Sequence, residues 1–324
     1  MKQLIEIVRG FADRRLVVIG DAIADQFLYG NISRVSREAP VFILRHEQTQ
    51  TVPGGAANCA MNLAALGARV SLIAVVGKDE AGTELRRKLS SAGVDIDGVI
   101  VSEKIQTTTK VRILAGHAHS NKQQVIRVDY EGNPIDDGRI INLLERSMTS
   151  SDAVIISDYN YGVVDNRAIA LMRKSFSKPV LVDSRFRLAE FTGFTAATPN
   201  EDEVEHLVGH SLTSVDELES AARKLKERLN HKALLVTRGA QGMMLLEDGT
   251  PLHIPAVGAQ QSVDVTGAGD TVIATFALGV ASGASFADAA GLANYAGGLV
   301  VMKRGTASVT AAELEHSILN SEDD

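Results

Sequence analysis

The chain contains the heptapeptide Asp264-Val265-Thr266-Gly267-Ala268-Gly269-Asp270, which leads directly into the apolar stretch Thr271–Val280. The apolar stretch predicts a helix. The two glycines leave backbone N–H groups uncovered at its beginning, where the helix dipole adds partial positive charge, so the segment is suited to bind an anion. The carboxylate of Asp270 would repel that anion, unless it accepts a proton from a hydroxyl while the N–H groups hold the charge on a phosphoryl group. An acidic N-cap beside a tight glycine turn would give the same pattern.

The composition excludes several classes of protein. The 324 residues carry a formal net charge of −7, so the chain lacks the basic surface with which proteins bind nucleic acid or an anionic membrane. The one cysteine, Cys59, cannot form an internal disulfide, which fits a reducing compartment. Residues 1–11 contain charges and no continuous apolar core, unlike a signal peptide, and no apolar run is long enough to span a membrane. We therefore expect a cytoplasmic protein that binds neither nucleic acid nor membrane.

Short β-rich runs alternate with helical stretches along much of the chain. The predicted strands are Arg15–Gly20, Val70–Gly77, Ala153–Ser157, Pro179–Asp183 and Ala233–Thr237. The predicted helices are Ala56–Leu66, Ala81–Ala92, Gly138–Ser150, Asn166–Phe176, Glu201–Val208 and Ser214–Leu229, with two more closely packed helices in the Ala- and Gly-rich segment 267–298. Because nearly continuous apolar strands need cover on both faces, this alternation predicts an α/β fold with three layers, α/β/α, around a mostly parallel sheet. We expect residues 1–324 to form one domain.

Two stretches depart from the alternation, at about residues 27–47 and 105–130. They are rich in Val, Ile, Thr and Tyr and carry no helical period, so they predict antiparallel hairpins outside the main sheet. Long surface loops are the alternative, but unstructured loops of that length are uncommon. A small β-sheet lid made from the two insertions could exclude water from a site. Its exposed edges and apolar faces could pair with a second copy, so we expect a homodimer formed through the lid.

Two segments near the beginning of the chain are suited to a polyhydroxylated ligand. Asp21 and Asp25 follow the first predicted strand, although one of these carboxylates could simply cap a turn. In Pro53-Gly54-Gly55-Ala56-Ala57-Asn58 the paired glycines let a substrate approach the backbone, and Asn58 offers a donor and an acceptor to sugar hydroxyls. A loop before a helix with an incidental Asn would look the same.

Two later segments are suited to a nucleotide. In Thr198-Pro199-Asn200-Glu201-Asp202-Glu203, Asn200 and Glu203 either begin a helix or hold waters around a Mg²⁺ ion that bridges phosphates. Thr237-Arg238-Gly239-Ala240-Gln241-Gly242 lets a phosphate or ribose lie against bare backbone. The chain contains no P-loop, no dinucleotide fingerprint and no nucleophile elbow, which argues against the nucleotide and hydrolase sites that those motifs form. His206 and His210 have metal-ligand spacing, but Gly209 between them predicts the end of a helix.

Four of these segments occur in an order that resembles the ribokinase-like (PfkB) family of carbohydrate kinases. The motifs are Gly-Gly-x-x-Asn at 54–58, Asn-x-x-Glu at 200–203, Thr-x-Gly-x-x-Gly at 237–242 and Asp-x-Thr-Gly-Ala-Gly-Asp at 264–270. The resemblance covers nearly the whole chain. It implies a ribokinase-like fold and the ATP-dependent transfer of a γ-phosphoryl group to a sugar hydroxyl.

The same resemblance implies roles for individual residues. Asp270 would be the general base, and Gly267, Ala268 and Gly269 would form the anion hole. Sugar contacts are implied at Asp25 and Asn58, beside Asp21, Gly54 and Gly55. Nucleotide contacts, with Mg²⁺ held through water by the first two residues, are implied at Asn200, Glu203, Thr237, Gly239, Gly242 and Asn294. Some members of the family use K⁺ beside the anion hole, which would place its ligands near Asp264 and Thr266.

Within the family the chain is most similar to the kinases of D-glycero-D-manno-heptose 7-phosphate, which act in lipopolysaccharide precursor synthesis. The similar segments are 33–41, 109–112, 123–127 and 305–309. Those kinases phosphorylate the anomeric C1 hydroxyl, and Lys110, Arg112 and Arg127 would suit the substrate phosphate or face water. The chain departs from their pattern at three places: Tyr161 replaces a Lys, Arg37 replaces a Pro, and Asp183-Ser184-Arg185 replaces Asp-Pro-Lys. A kinase of another sugar, a catalytically idle sensor and a nicotinamide oxidoreductase are the alternatives.

Overall fold

The computed structural model describes residues 2–117, 122–132, 137–258 and 262–320. Within these residues the chain forms ten α-helices and two β-sheets. The helices, numbered along the chain, are α1 Lys2–Arg9, α2 Ala56–Ala65, α3 Glu80–Ser91, α4 Arg139–Ser150, α5 Asn166–Ser175, α6 Glu201–Val208, α7 Val215–Leu229, α8 Ala268–Ala281, α9 Phe286–Val300 and α10 Ala311–Asn320.

The main sheet has nine strands in the described part of the chain. They are β1 Arg15–Gly20, β4 Arg69–Gly77, β5 Val99–Ser102, β8 Ala153–Asp158, β9 Val180–Ser184, β10 Ala196–Ala197, β11 Ala233–Thr237, β12 Met243–Leu246 and β13 Leu252–Ile254. Their spatial order is β13-β12-β11-β10-β9-β8-β1-β4-β5, and every pair from β11 to β5 is parallel. Only β12 and β13 run antiparallel to their neighbours. The predicted mostly parallel sheet is therefore confirmed.

Helices cover both faces of this sheet. Successive residues of β1 point to opposite faces, so Leu16 and Val18 join a core with α2, α8 and α9, while Val17 and Ile19 join a second core with α4, α5 and α7. Because both faces are buried, the strands read as continuous apolar runs. The predicted three-layer α/β/α fold is confirmed, and the predicted helices agree with the observed ones to within about two residues at each end.

A second, smaller sheet begins with the strand that directly follows the carboxyl end of β1. Its strands are β2 Ala22–Val35, β3 Phe42–Gly55, β6 Thr109–Gly116 and β7 Gln123–Tyr130, in the spatial order β3-β2-β6-β7. Its first hairpin is longer than the predicted stretch 27–47, because Ala22-Ile23-Ala24 and Pro53-Gly54-Gly55 pair as strands. Residues 118–121, inside the second predicted insertion, lie outside the described residues.

The hydropathy of the helices also bears on membrane insertion. Across residues 2–117, 122–132, 137–258 and 262–320, none of the helices has the length and apolar character needed to cross a bilayer.

Candidate active site

A cleft of about 650 Å³ opens at the carboxyl ends of the parallel strands, where α/β proteins place their ligands. Side chains that follow four different strands line it, together with the beginning of α8. The polar lining residues include Asp158, Tyr159, Asp183, Arg185, Thr198, Asn200, Asp202, Glu203, His206, Thr237 and Asp270. The sequence predicted this edge of the sheet as the site, and six of the predicted site residues line the cleft: Asn200, Glu203, Thr237, Gly267, Gly269 and Asp270.

Asp270 lies in the first turn of α8 and is only 3% exposed. Its two oxygens have separate donors: Asn58 Nδ2 donates to Oδ2 at 2.8 Å, and the Tyr159 hydroxyl donates to Oδ1 at 3.1 Å. Burial raises the pKa of Asp270 to about 7, although these two hydrogen bonds act in the opposite direction. A carboxyl that titrates near neutral pH is suited to general base catalysis.

Tyr159 is the residue of this group that sequence reasoning did not assign to the site. It directly follows Asp158, the last residue of β8. Its place in the sequence therefore gives the same signal as the other polar residues at the carboxyl ends of strands. Its partner Asp270 is 111 residues away in the sequence, so the contact itself leaves no local pattern.

The side chain of Asn58 already forms hydrogen bonds within the protein. Beside the bond to Asp270, its Nδ2 lies 3.3 Å from the carbonyl oxygen of Gly267, and its Oδ1 accepts from Asn62 at 3.2 Å. Asn62 Oδ1 in turn accepts from the hydroxyl of Thr271 at 3.1 Å. Asn58 is 2% exposed, so this network ties α2 to the beginning of α8. The predicted contact of Asn58 with a sugar stays a prediction, and it would compete with these bonds.

The beginning of α8 has the backbone geometry of an anion site, with one difference from the prediction. Gly267 adopts φ +77°, and the N–H of Ala268 donates to the carbonyl of Val265 at 3.2 Å. The N–H groups of Gly267 and Gly269 have no protein acceptor within the described ranges of the chain. Two of the three predicted N–H groups are therefore left for a ligand, while that of Ala268 closes a turn.

Asp21 has a structural role, and its predicted contact with a sugar stays a prediction. Its Oδ2 accepts from the N–H groups of Tyr159 at 2.8 Å and Tyr161 at 3.1 Å, and its Oδ1 accepts from that of Val163 at 3.3 Å. Burial raises its pKa to about 6, and the backbone hydrogen bonds lower it. Asp21 is thus the carboxylate that caps a turn, and it fixes the loop that carries Tyr159.

Asp25 lies on β2 and forms a buried salt bridge with Arg112 on β6, with side chains 9% and 14% exposed. Lys110 lies two residues before Arg112 on the same strand, and its Nζ is 5.3 Å from the centroid of the Tyr159 ring. Burial lowers the pKa of Lys110, and Asp25 raises it. Gly54 lies on the neighbouring strand β3, and any β-carbon there would overlap the Asp25 carboxylate. The predicted substrate residues Asp25, Gly54, Lys110 and Arg112 therefore form one group.

Acidic side chains line the opposite wall of the cleft. Burial raises the pKa of Asp183 well above its usual range, and the negative charges of Glu203, Asp270 and Asp158 raise it further. Burial also raises the pKa of Glu203. Asn200 and Glu203 form a capping box at the beginning of α6, with Glu203 N 2.8 Å from Asn200 Oδ1 and Asn200 N 3.0 Å from Glu203 Oε2. The helix-initiation role is thus present, and it leaves the other Glu203 oxygen for a ligand.

A second cavity, of about 220 Å³, adjoins the cleft and shares Thr237, Val265 and Gly269 with it. Its lining is mostly apolar, and it contains the predicted nucleotide residues Thr237, Gly239, Gly242 and Asn294. The Asn294 amide donates to the carbonyl of Pro255 at 2.8 Å, so its Oδ1 is the atom left for a ligand. An apolar pocket beside a cleft with anion-binding N–H groups fits a nucleotide whose base and phosphates need different surroundings.

Asp264 lies at the beginning of the heptapeptide. Burial raises the pKa of its carboxyl, but hydrogen bonds from Thr266 and Gly305 outweigh burial and hold the pKa below its usual range. The N–H groups of Thr266 and Gly305 both lie 2.9 Å from its oxygens. The hydroxyl of Thr306, next to Gly305, is buried and has no hydrogen-bond partner within the residues that the structure describes.

Comparison with known proteins identifies the family. The profile of the pfkB family carbohydrate kinases matches residues 13–312. Bifunctional protein HldE of Photobacterium profundum is 44% identical over 313 residues, which are 95% of this chain and 64% of that protein. Bifunctional protein HldE of Caulobacter vibrioides is 42% identical over 319 residues, which are 96% of this chain and 65% of that protein. The chain therefore spans slightly less than two thirds of the length of these relatives.

Solved structures show the same fold at lower identity. Arabidopsis thaliana ribokinase complexed with ribose and ATP has a TM-score of 0.76 at 21% identity, covering 94% of this chain and 98% of that one. Phosphofructokinase-2 from Escherichia coli has a TM-score of 0.78 at 19% identity, covering 95% and 99%. The match to the family profile extends over most of the chain and includes every segment of the cleft. The chain belongs to the pfkB family of carbohydrate kinases and is an ATP-dependent carbohydrate kinase.

Proposed function

We propose that this kinase transfers the γ-phosphoryl group of ATP to the C1 hydroxyl of D-glycero-D-manno-heptose 7-phosphate and produces the 1,7-bisphosphate. The proposal rests on one observation beyond the sequence similarity. Lys110 and Arg112 lie on the same face of β6, and Arg127 of β7 pairs directly opposite Arg112. Like charges directly opposite destabilise a sheet; Asp25 pairs with Arg112 and Asp129 pairs with Arg127, while Lys110 adds a third positive charge to the same face. A phosphorylated sugar would supply the missing negative charge.

Asp270 is the proposed general base. Its carboxylate would accept the proton of the attacking hydroxyl, while the N–H groups of Gly267 and Gly269 hold the charge on the transferred group. Because the transition state of phosphoryl transfer is loose, catalysis depends mostly on position and charge. Asn58 and Tyr159 each donate a hydrogen bond to the carboxylate, and the dipole of α8 adds to the field at its beginning.

The acidic wall fits a hydrated Mg²⁺ ion. Asp183 is half-buried, and the electrostatic cost of its charge would fall beside a cation. In the part of the chain that the structure describes, no three or more His, Cys, Asp or Glu side chains are close enough to bind a metal directly. Mg²⁺ usually keeps several waters, so we propose that Asn200 and Glu203 hold it through water. When bound, the ion would neutralise charge on the nucleotide phosphates.

The surroundings of Asp264 fit a monovalent cation such as K⁺. Asp264 stays ionised, and the buried hydroxyl of Thr306 lacks a partner among the described residues. We propose that Asp264 and Thr266 hold the ion beside the anion hole. Its positive charge would support the same end of α8 that receives the phosphoryl group.

We also propose a homodimer formed through the small sheet, and location in the cytoplasm. The face of β6 and β7 opposite to Arg112 and Arg127 carries Ile126, Val128 and Tyr130, whose exposed fractions are 53%, 37% and 45%. Exposed apolar faces of this kind favour a contact with a second copy. The small sheet would then act as a lid over the cleft.

A substrate panel tests the proposed sugar. Purified protein with MgATP would be assayed for ADP release with heptose 7-phosphate, heptose, ribose, fructose 6-phosphate and fructose 1-phosphate. We expect heptose 7-phosphate to have the highest kcat/KM, and Arg127→Gln to raise its KM without changing the KM for ATP. A preference for another sugar phosphate would favour the second candidate, a kinase of that compound, which the departures at Tyr161 and Arg185 support. Ligand binding without ADP release across the panel would contradict both.

A further inference from the structure

We propose that Tyr159 is a positioning residue for Asp270. Its phenol holds one carboxylate oxygen while Asn58 holds the other, so that the carboxylate cannot rotate away from the hydroxyl that it is to deprotonate. The inference rests on the proposed function, in which Asp270 is the base. A freely rotating carboxylate would spend only part of its time in the reactive orientation, and small errors in position are costly in catalysis.

Three contacts hold the Tyr159 ring in place. Its backbone N–H donates to Asp21 Oδ2 at 2.8 Å, and the ammonium of Lys110 lies 5.3 Å from the ring centroid. The ring also packs closely on Gly55, where an added β-carbon would lie 3.1 Å from Tyr159 Cε2. The backbone of Tyr159, one face of its ring and one edge of its ring therefore each contact a different neighbour. A rigid support of this kind is what a positioning residue requires.

The phenol acts as a donor and not as a base. Burial raises the pKa of Tyr159 well above its usual range, and the negative charges of Asp270 and Asp183 raise it further. The hydroxyl therefore keeps its proton throughout the range in which enzymes are assayed, and the hydrogen bond runs from Tyr159 to Asp270. Donation to the carboxylate favours its charged form and opposes the effect of burial on Asp270.

Other titratable groups also face Asp270. Asp25 on β2 raises the pKa of Asp270 and Lys110 on β6 lowers it. Asp183 on β9 and Cys59 on α2 lie close enough for Asp270 to raise their pKa values. Within the described part of the chain the hydrogen bonds to the Asp270 carboxylate come from Asn58 and Tyr159 and from none of these four, so removal of the Tyr159 hydroxyl alone leaves them in place.

Tyr161 offers a matched control within the same loop. Its hydroxyl also donates to a carboxylate, Glu131 Oε1 at 3.0 Å, and its backbone N–H also donates to Asp21. The acceptor of its hydroxyl is thus Glu131 and not Asp270. Tyr161→Phe therefore removes the same chemical group from the same loop without touching the base.

The experiment compares the pH dependence of kcat/KM for the best sugar at saturating MgATP. The acid limb of this pH profile reports the pKa of the base. We expect Tyr159→Phe to move this limb to higher pH by about one unit and to lower the plateau kcat about tenfold. We expect Tyr161→Phe to leave the limb where it is in the wild type. Substitution of Tyr159 by 3,5-difluorotyrosine, whose phenol is a stronger donor, should move the limb to lower pH. Thermal unfolding and ATP binding check that each variant is folded.

An unmoved limb in both Tyr159 variants would overturn the inference, and so would equal shifts in Tyr159→Phe and Tyr161→Phe. If Tyr159→Phe does not fold, the difluorotyrosine variant decides alone. Asp270→Asn separates this result from the proposed function. Near wild-type turnover in that variant would remove Asp270 as the base, whereas an inactive Asp270→Asn with an unmoved Tyr159 limb would overturn only the role of Tyr159.

Discussion

A β-carbon at Gly267 would lie 2.5 Å from the Nδ2 atom of Asn58. The beginning of α8 and the end of the Asn58 side chain are therefore packed so closely that only glycine fits between them. Gly267 also adopts φ +77°, a conformation in which side chains other than glycine are strained. Two motifs that are more than 200 residues apart in the sequence thus depend on each other's geometry.

Gly267→Ala should abolish most of the activity because it displaces the amide that holds Asp270. We expect kcat to fall by about 10²-fold or more and the free energy of unfolding to fall by roughly 1–3 kcal/mol. Gly283→Ala is the matched control, because Gly283 has φ +86° and no atom within 4 Å of an added β-carbon. It should cost similar backbone strain, about 1–2 kcal/mol, with unchanged kcat. Steady-state kinetics and urea unfolding measure both, and equal kcat values in the two variants would contradict the prediction.

The parts of the fold that follow from local pattern were predictable. The strand Arg15–Gly20 and the helix Glu201–Val208 have the bounds that the sequence predicted, since burial on both faces and a capping box leave local signals. The antiparallel strands β12 and β13 and the two-residue β10 were not predicted, because they are short and are stabilised by their neighbours in the sheet. Pro53-Gly54-Gly55 was interpreted as a glycine-led entry to a helix, with a loop as the alternative; it also ends the strand β3, where Gly54 lies against Asp25.

The sequence predicted many of the residues of the candidate site, but few of the hydrogen bonds between them. Asp270 and the glycines of α8 were identified from the helix beginning, and the topology brings them beside Asp25 and Asp183 as expected for strand ends. The bond from Tyr159 to Asp270 could not be foreseen, and neither could the bond from the Tyr159 N–H to Asp21, although a turn cap was the alternative stated for Asp21 or Asp25. Each joins residues more than 100 positions apart, and no periodicity records such a contact.

Glu203→Gln should raise the Mg²⁺ concentration needed for half-maximal activity. Glutamine keeps the capping box at the beginning of α6, so the helix is retained while the negative charge is lost. We expect about a tenfold increase, in the range seen when groups around a metal are removed. Glu217→Gln is the control, because Glu217 also accepts a hydrogen bond at a helix beginning, from Thr213, and lies outside the cleft. The test is a Mg²⁺ titration at fixed ATP, and the same Mg²⁺ dependence in both variants would remove Glu203 from the proposed ion site.

Asp270→Asn should stabilise the protein in alkaline solution while it removes activity. The pKa of Asp270 is about 7 in the fold and the usual value is 3.8, so the folded state holds the proton more tightly than the unfolded chain. Its contribution to stability is therefore fully present below pH 3.8 and is lost as the pH rises through about 7. We expect the variant to gain roughly 1–3 kcal/mol at pH 8 and little at pH 4.

Denaturant unfolding of the Asp270 variant at several pH values measures this gain. Asp13→Asn, at an exposed position, serves as the control and should follow the wild type at every pH. A gain that did not depend on pH would show that the stability change has another origin than the charge of Asp270. The same carboxylate would then no longer explain an acid limb near pH 7 in kcat/KM.

Ile126→Glu should dissociate the proposed dimer. Ile126 is 53% exposed on the apolar face of the small sheet, and a charge buried in a subunit contact costs far more than one left in water. Val215→Glu, on α7, changes a residue that is 42% exposed in the same way at a distance from that sheet. Sedimentation velocity should give a dimer for the wild type and Val215→Glu and a monomer for Ile126→Glu. A wild-type monomer, or an Ile126→Glu dimer, would mean that the apolar face does not form the contact. Because the same strands carry Lys110 and Arg112, the monomeric variant should also show a raised KM for the sugar phosphate and an unchanged KM for ATP.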